Sequence, residues 1–312
     1  MARILASTVG MSHDDWLRMR LGGIGGSDAA AAVGKDRFRS RLALWAEKTG
    51  RSKGVHDNGR MRLGRDLEGY VAARFCEASG KSVSEPEAIF MHDEFDCIIA
   101  NIDREIVGEN AGLECKTANC SYSRLPDKID DLPPYYLAQC YHYLNVMRYE
   151  RMYLAVLDLA SGELRIFEIP YDERKCSELL AAELEFWNQY VAADVRPEPD
   201  GSDSSEEALR SLCEPVRDEC RELFKYEDTA AELFAVRGRI HEHEGEERRL
   251  RQVLISALDG CAVGVTERFR VQLSKQKRSA VDSKLLREKY SEVYEECLKV
   301  STANVFKITE KE

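Results

Sequence analysis

The stretch that most constrains this chain runs from Asp103 to Lys116, where three charged side chains are spaced so that one β-hairpin could bring them together. Apolar and β-branched residues favour a strand over 97–103, and a Gly-containing turn precedes a second strand over 111–116. Alternate side chains of a strand share a face, so Glu114 and Lys116 should point the same way. The hairpin would place Asp103 beside them.

Two carboxylates placed this closely repel each other unless a cation lies between them. A hard dication such as Mg²⁺ relieves the repulsion by binding both. It can also polarise a phosphoryl oxygen and lower the pKa of a bound water, which a nearby lysine can orient. The same residues also fit a solvated hairpin with an ordinary Glu/Lys pair, because this spacing arises by chance in charged chains. The residues alone leave both interpretations open.

Charge is distributed unevenly along the 312 residues, whose formal net charge is −11. Residues 35–65 hold ten Lys or Arg against three Asp or Glu, and residues 267–289 hold eight against three. Residues 198–232 hold four against twelve. The acidic total argues against a uniformly basic nucleic-acid coat. Each basic zone fits phosphate binding and a solvated face equally well.

Cysteine usage and hydropathy indicate the compartment. Ten cysteines are scattered along the chain with no C-x-x-C pair. The apolar run at residues 4–6 is too short for a secretory signal, so we expect free thiols in a reducing cytoplasm. No apolar run approaches the length of about 18 residues that a membrane-spanning helix needs.

The order of predicted elements indicates an α/β core with a more helical tail. Ser27 or Asp28 is expected to cap a short helix. Further on we predict an amphipathic helix, three strands, a helix with Tyr136, Gln139 and Tyr143 at helical spacing, a β-hairpin and another helix. An acidic linker follows, and then a charged segment that fits a helical hairpin or a coiled-coil arm. We therefore predict three parts, at 1–197 (core), 198–258 (linker and helical arm) and 259–312 (a small α+β module).

Several short motifs resemble those of a known family in their order and spacing. They are W-L-R-M-R-L-G-G-I-G-G-S-D-A-A-A-A-V-G from Trp16 onward, G-R-D-L-E-G-Y-V-A-A-R-F, N-I-D, G-L-E-C-K-T and Y-Y-L-A-Q-C-Y-H-Y-L. Together they resemble the YqaJ-like viral recombinase family, which is lambda-exonuclease-like, over about residues 12–195. The resemblance implies a PD-(D/E)-x-K restriction-endonuclease-like core, in which a central mixed sheet is flanked by helices.

The resemblance also implies a set of catalytic residues. Asp103 and Glu114 would be metal ligands, with the backbone carbonyl of Cys115 as a further ligand. Glu68 would support a second metal or its water, and Lys116 would position the attacking water.

The resemblance implies further residues around this centre. Gln139 and Tyr136 would line the cleft from the following helix, with Gln139 as a further catalytic residue. Arg20 and Ser27 match residues that hold a 5′ phosphate in the family. Ile102 stands where the superfamily signature has a proline, at a position that makes no metal contact.

The activity that the resemblance implies is a Mg²⁺-dependent DNA exonuclease, with Mn²⁺ as a substitute, that degrades linear duplex ends from 5′ to 3′ in phage-type recombination by end resection and strand annealing. The implied partners are duplex DNA ends, a RecT-like single-strand annealing protein and further copies of the chain in a homo-oligomer such as a trimer. Its compartment would be the cytoplasm of a bacterial or phage-infected cell, with no membrane contact.

Three alternatives stay open at this point. An endonuclease or nickase could use the same core, and a DNA-binding recombination scaffold could lack cleavage altogether. An iron–sulfur nuclease would need a cysteine ahead of the core, and none precedes Cys76.

Overall fold

The computed structural model describes residues 2–52, 58–119, 125–213, 219–277, 279–299 and 305–310. Contacts divide the chain into two compact units, Met1–Glu214 and Pro215–Glu312. In the described residues, no helix is long and apolar enough to cross a membrane.

The first unit contains eight strands and seven α-helices among its described residues. Its amino-terminal elements are β1 (Arg3–Ser7), α1 (His13–Leu21), α2 (Gly26–Ala32), α3 (Arg41–Lys48) and α4 (Gly59–Ser79). Next come β2 (Val83–Ser84), β3 (Ala88–Met91), β4 (Ile99–Ala100), β5 (Arg104–Ile106) and β6 (Ala111–Ala118). A short 3-10 turn (Ile129–Asp131) leads to α5 (Pro134–Met147), β7 (Arg151–Asp158), β8 (Leu164–Pro170), α6 (Glu173–Phe186), a π-helical segment (Trp187–Ala192) and α7 (Asp203–Leu212).

A five-stranded mixed sheet in the order β2-β5-β6-β7-β8 forms the centre of this unit. Strands β6 and β7 are parallel, and the other pairs are antiparallel. Alternate side chains of β7 enter opposite cores: Leu154 and Val156 pack in the core that includes α5, and Tyr153 and Ala155 pack in the core that includes α4. The predicted α/β class, with a central mixed sheet flanked by helices, is confirmed.

The helices begin and end where local chemistry permits. Asn58 caps α4 by accepting hydrogen bonds from the backbone N–H groups of Arg60 and Met61, and Gly80 ends the helix with a φ of 72°. Helix α2 begins at Gly26, earlier than expected from a cap at Ser27 or Asp28. Its cap is Gly25, whose N–H donates to the Asp28 carboxylate.

The single strand predicted over 97–103 is wrong, because the chain changes sheets within it. Strand β4 pairs with β3 in a separate antiparallel sheet of order β1-β3-β4, whereas β5 belongs to the central sheet. Two hydrogen bonds fix the segment between β4 and β5 at Asn101. The side-chain oxygen of Asn101 accepts from Trp16 Nε1 at 2.8 Å, and its backbone carbonyl accepts from the Tyr143 hydroxyl at 2.9 Å. These tertiary hydrogen bonds fix the backbone shortly before Asp103, the residue that precedes β5.

The second unit is built around one long helix. After a 3-10 turn (Phe224–Tyr226) come α8 (Glu227–Leu258), the antiparallel pair β9 (Val263–Val265) and β10 (Arg270–Gln272), α9 (Ser283–Lys289) and α10 (Ser291–Cys297). Helix α8 runs unbroken for 32 residues.

Helix α7 belongs to the first unit. It packs on α3, and the Ser204 hydroxyl accepts from the backbone N–H of Ser40 at 3.1 Å. The division of the chain at 197 and 258 stays a prediction.

A buried ion pair joins α5 to α6. His142 and Glu183 are both inaccessible to solvent, with 2.8 Å between His142 Nδ1 and Glu183 Oε1. The second ring nitrogen of His142 lies 2.7 Å from the carbonyl oxygen of Ile99, so both nitrogens face acceptors and the doubly protonated ring fits. Burial by itself lowers the pKa of His142, but the Glu183 carboxylate and the Ile99 carbonyl outweigh it, and the pKa lies above its ordinary value.

We expect the free energy of unfolding to fall as pH rises through this raised pKa. The folded state binds the proton more tightly than the unfolded chain, so the stabilisation is complete below the unfolded-state pKa of about 6.5 and is lost above the folded-state pKa. Urea unfolding of the parent and of His142→Gln, from about pH 6 to about pH 9, measures the difference. Relative to the variant, the parent should lose up to ~1.4 kcal/mol per pH unit. Parallel pH profiles would contradict this role of His142.

Candidate active site

A cleft of about 420 Å³ opens beside β4 and β6, with walls from α1, α2, α4 and α5. Eight of the nine residues implicated by the sequence line it: Arg20, Ser27, Glu68, Asp103, Glu114, Cys115, Lys116 and Gln139. The ninth, Tyr136, lies close by, with its ring centroid 5.9 Å from Lys116 Nζ. The fold thus gathers residues from distant parts of the sequence around one opening.

The hairpin brings Asp103, Glu114 and Lys116 together. Asp103 Oδ2 accepts a hydrogen bond from the backbone N–H of Cys115 at 2.8 Å, which ties the carboxylate to β6. Glu114 is 2% exposed, and its Oε1 lies 2.5 Å from Lys116 Nζ and accepts from Gln139 Nε2 at 2.7 Å. Glu114 Oε2 is buried and has no hydrogen-bond partner among the described residues.

Burial and mutual repulsion shift the pKa values of this group. Burial raises the pKa of Asp103 well above its usual range, and the charges of Glu114 and Glu68 add to the effect. Burial also raises the pKa of Glu114, with Lys116 opposing the shift. For Lys116, burial lowers the pKa, but the two carboxylates more than compensate and raise it. The two acids therefore lack enough compensating positive charge, whereas the lysine holds its proton firmly.

Glu68 reaches the cleft from α4 but is held by an arginine. Its Oε1 lies 2.8 Å from Arg104 Nη1, which also donates to the carbonyl oxygen of Asp103. Arg104 therefore links Glu68 to the backbone at the first carboxylate. No pattern in the sequence indicates this role of Arg104.

The donor set fits a hard dication. Among the residues that the structure describes, no three His, Cys, Asp or Glu side chains form a ready metal cluster. Mg²⁺, however, is commonly held by one or two carboxylates and keeps several waters. Asp103 and Glu114 supply two carboxylates. The buried Oε2 of Glu114 has no hydrogen-bond partner among the described residues, and a cation would satisfy it. Burial raises the pKa of the Cys115 thiol, so this residue can contribute its backbone carbonyl but not a thiolate.

Arg20 and Ser27 form a second polar group in the same cleft. Arg20 Nη2 lies 2.5 Å from Ser27 Oγ, and the guanidinium lies over the Trp16 ring at 4.7 Å from its centroid. The adjacent Gly26 allows close packing, since a Cβ there would lie 2.5 Å from the ring of Tyr143. A side chain at Gly26 would push this segment away from α5.

Tyr143 connects the two polar groups. Its hydroxyl accepts from Gln139 Nε2 at 3.0 Å and donates to the Asn101 carbonyl, while its ring contacts Gly26. Burial raises the pKa of Tyr143 well above its usual range, so the hydroxyl stays protonated and can keep donating. Its helical spacing with Gln139 was visible in the sequence, but its partners on other elements were not.

Comparison with known proteins gives three kinds of similarity. The YqaJ-like viral recombinase domain model matches residues 15–150. A Bacillus subtilis (strain 168) protein described as "Uncharacterized protein YqaJ" is 31% identical over 314 residues, which cover 99% of this chain and 98% of that protein.

Two solved structures are similar over a little more than half of this chain. An alkaline exonuclease (LHK-Exo) from Laribacter hongkongensis has a TM-score of 0.47 and 17% identity, covering 58% of this chain and 94% of its own. A phage-related exonuclease from Haemophilus somnus 129PT has a TM-score of 0.41 and 11% identity, covering 55% and 96%.

We expect Asp103→Asn and Glu114→Gln each to weaken dication binding. Each substitution removes one anionic ligand, and the loss should be about tenfold or more, since even outer partners of a metal site are worth about 10–100-fold. Titration calorimetry with Mn²⁺ and with Mg²⁺ measures it. Without metal, neither variant should melt at a lower temperature than the parent, because each relieves repulsion.

Glu105→Gln is the matched control for this titration. Glu105 lies on the same hairpin, but its carboxylate accepts from the Tyr149 hydroxyl at 2.7 Å, and the residue does not line the cleft. Its dication affinity should equal that of the parent. Unchanged dication affinity in both Asp103→Asn and Glu114→Gln would contradict the assignment of a metal site to this cleft.

Proposed function

The chain belongs to the YqaJ-like viral recombinase family, and on that premise we propose that it is a metal-dependent DNA exonuclease that begins at the ends of linear duplexes. The observation that carries this proposal is a single cleft lined both by the Asp103–Glu114–Lys116 group and by the Arg20–Ser27 pair. The first group suits phosphodiester hydrolysis, and the second suits a terminal phosphate.

Asp103 and Glu114 would hold the dication, with the Cys115 carbonyl as a further ligand. Mg²⁺, or Mn²⁺ in its place, would when bound polarise the scissile phosphodiester and lower the pKa of a coordinated water. Glu68 would support a second cation or its water after exchanging its contact with Arg104.

Lys116 would orient the attacking water and offset charge on the phosphate. Because its pKa is raised, Nζ keeps its proton near neutral pH, so it acts as a hydrogen-bond donor and electrostatic stabiliser rather than as a general base. Gln139 would keep the Glu114 carboxylate oriented, as its Nε2 already donates to Oε1. Tyr136, beside Lys116, would form the adjoining wall for the substrate.

Arg20 and Ser27 would bind the 5′-terminal phosphate. A phosphate monoester carries a charge of about −1.5 to −2 near neutral pH, more than an internal diester. A guanidinium can donate two parallel hydrogen bonds to phosphate oxygens, and the hydroxyl adds a third donor. Holding this end would fix the direction of degradation as 5′ to 3′.

Exposed arginines beside the cleft suit the duplex backbone. Arg60, Arg62 and Arg65 lie in the first turns of α4, and Arg65 lines the cleft. Contacts from such residues to phosphate give affinity without reading sequence. We propose that they hold the duplex as its end is degraded.

The wider biological setting is part of the same proposal. The exonuclease would act in the cytoplasm in phage-type recombination, supplying a single strand to a RecT-like annealing protein, and would assemble as a homo-oligomer such as a trimer. The acidic arm at 198–258 and the module at 259–312 would serve these partners.

Two other functions are compatible with parts of the site. An endonuclease or nickase would use the same carboxylates, but it has no need of a terminal-phosphate pair. A non-cutting recombination scaffold would need neither the two buried acids nor the lysine beside them. The combination in one cleft favours the exonuclease.

We predict that a linear duplex with a 5′ phosphate is degraded faster than the same duplex with a 5′ hydroxyl, and that Arg20→Ala removes the difference. Hydrogen bonds to charged groups are worth about 1.5–3 kcal/mol, which corresponds to about ten- to a hundredfold in rate. Steady-state rates on the two substrates measure the ratio.

Arg18→Ala is the control for the loss of a positive charge from α1. Arg18 is exposed and pairs with Asp15 rather than with Ser27. The ratio in this variant should match that of the parent. Equal rates on the two ends in the parent would refute recognition of the terminal phosphate.

A further inference from the structure

A cluster of buried charges lies directly behind Arg20 and Ser27. Asp28 and Lys48 are both inaccessible at their side chains, and Lys48 Nζ lies 2.7 Å from Asp28 Oδ2. The other oxygen, Asp28 Oδ1, lies 2.5 Å from Arg39 Nη2 and 3.3 Å from Arg20 Nη2. One carboxylate therefore joins three cations from α1, α3 and the segment before α3.

The same cations bind the backbone of the two end-binding residues. Lys48 Nζ donates to the carbonyl oxygen of Arg20 at 2.7 Å, and Arg39 Nη2 donates to the carbonyl oxygen of Ser27 at 2.9 Å. Arg20 is thus held at its backbone by Lys48 and at its guanidinium by Asp28. Ser27 is held at its backbone by Arg39 and at its hydroxyl by Arg20.

Stability alone is a poor reason for such a cluster. Burying an ion pair costs desolvation, and apolar residues of similar volume are often as stabilising. The surroundings are apolar, since the four residues after Asp28, Ala29 to Ala32, are all buried. Burial opposes ionisation of Asp28, but the three cations outweigh it and hold its pKa well below the usual range, so the carboxylate remains charged.

The arrangement also fixes the guanidinium in space. Arg20 Nη2 is engaged by Ser27 and Asp28, and one face of the group covers Trp16. Arg39 makes a further pair with Glu47 at 3.2 Å, which helps to hold it beside Asp28. A dianionic phosphate would meet a donor that is already oriented, which reduces the entropic cost of binding.

We propose that Asp28 is a positioning residue for end recognition: held by Lys48 and Arg39, it sets the orientation in which Arg20 and Ser27 meet a terminal phosphate. This inference rests on the proposed function of the same cleft. Asp28 would touch no substrate and would act entirely through Arg20 and Ser27.

Three variants test the proposal. Asp28→Asn removes the charge and keeps the shape, Lys48→Met removes one anchor, and the double variant replaces the buried pair without leaving either charge uncompensated. Fluorescence anisotropy in EDTA compares binding of 5′-phosphorylated and 5′-hydroxyl duplexes, so the readout does not depend on cleavage. The preference for the phosphate should fall about tenfold in Asp28→Asn and in the double variant, since a misplacement of about 1 Å can cost on the order of a hundredfold.

A matched control separates positioning from general stability. Asp158→Asn alters another buried aspartate, which accepts from the Ser161 hydroxyl at 2.7 Å in the β7–β8 turn and lies outside the cleft. It should lower the melting temperature while keeping the full phosphate preference. If Asp28→Asn and the double variant also melt at a lower temperature but keep the full preference for the 5′-phosphorylated duplex, the role of Asp28 is structural and the proposal is overturned.

A chemical readout tests the positioning without any DNA. Phenylglyoxal modifies accessible arginines, and mass spectrometry reports the rate at Arg20. Losing the charged partner should speed labelling of Arg20 about tenfold in Asp28→Asn and in the double variant, while Arg18 is unaffected. Unchanged labelling at Arg20 would overturn the proposal. If the parent showed no phosphate preference, the proposed end recognition would fail, and the labelling rate would still decide whether Asp28 orients Arg20.

Discussion

Two carboxylates held together by the hairpin of the central sheet, one just before β5 and one on β6, are the constraint on which the rest of the site depends. Asp103 is tied to β6 through the backbone N–H of Cys115, and Glu114 is buried two residues before Lys116. Lys116 and Gln139 satisfy one oxygen of Glu114 but leave the other without a partner among the described residues. The two buried acids repel each other, and a cation bound between them would relieve that repulsion and satisfy the unpaired oxygen.

The second polar group depends on the first through shared supports. The ring of Tyr143 contacts Gly26 at the start of α2. Its hydroxyl accepts a hydrogen bond from Gln139, which lies beside Glu114, and donates one to the backbone carbonyl of Asn101, two residues before Asp103. The Arg20–Ser27 pair and the Asp103–Glu114–Lys116 group, for which we propose end binding and metal binding, are thereby fixed to the same helix. A nuclease that starts at an end needs this fixed relation, because the terminal phosphate must be held while an adjacent diester is placed at the catalytic group.

Local patterns in the sequence predicted the parts of the site that lie on one hairpin, and missed those set by tertiary contacts. Strand alternation placed Glu114 and Lys116 on one face, as found. The change of sheet at Asn101 had no local signal, because it depends on Trp16 and Tyr143 from other elements. Asp28 fitted a helix cap, yet its main partners lie on and before α3. The proposed roles of Arg20 and Ser27 came from family resemblance, because residue patterns alone did not indicate them.

The most direct measurement compares end-labelled linear duplex with covalently closed circular duplex, each incubated with the protein in Mg²⁺ and in EDTA. We predict that the linear duplex is degraded from its ends in Mg²⁺, that the closed circle stays intact, and that EDTA prevents all cleavage. Asp103→Asn should be inactive on both substrates. Cutting of the closed circle at a rate similar to that of the linear duplex would contradict an end-dependent nuclease, and cleavage in EDTA would contradict the metal site.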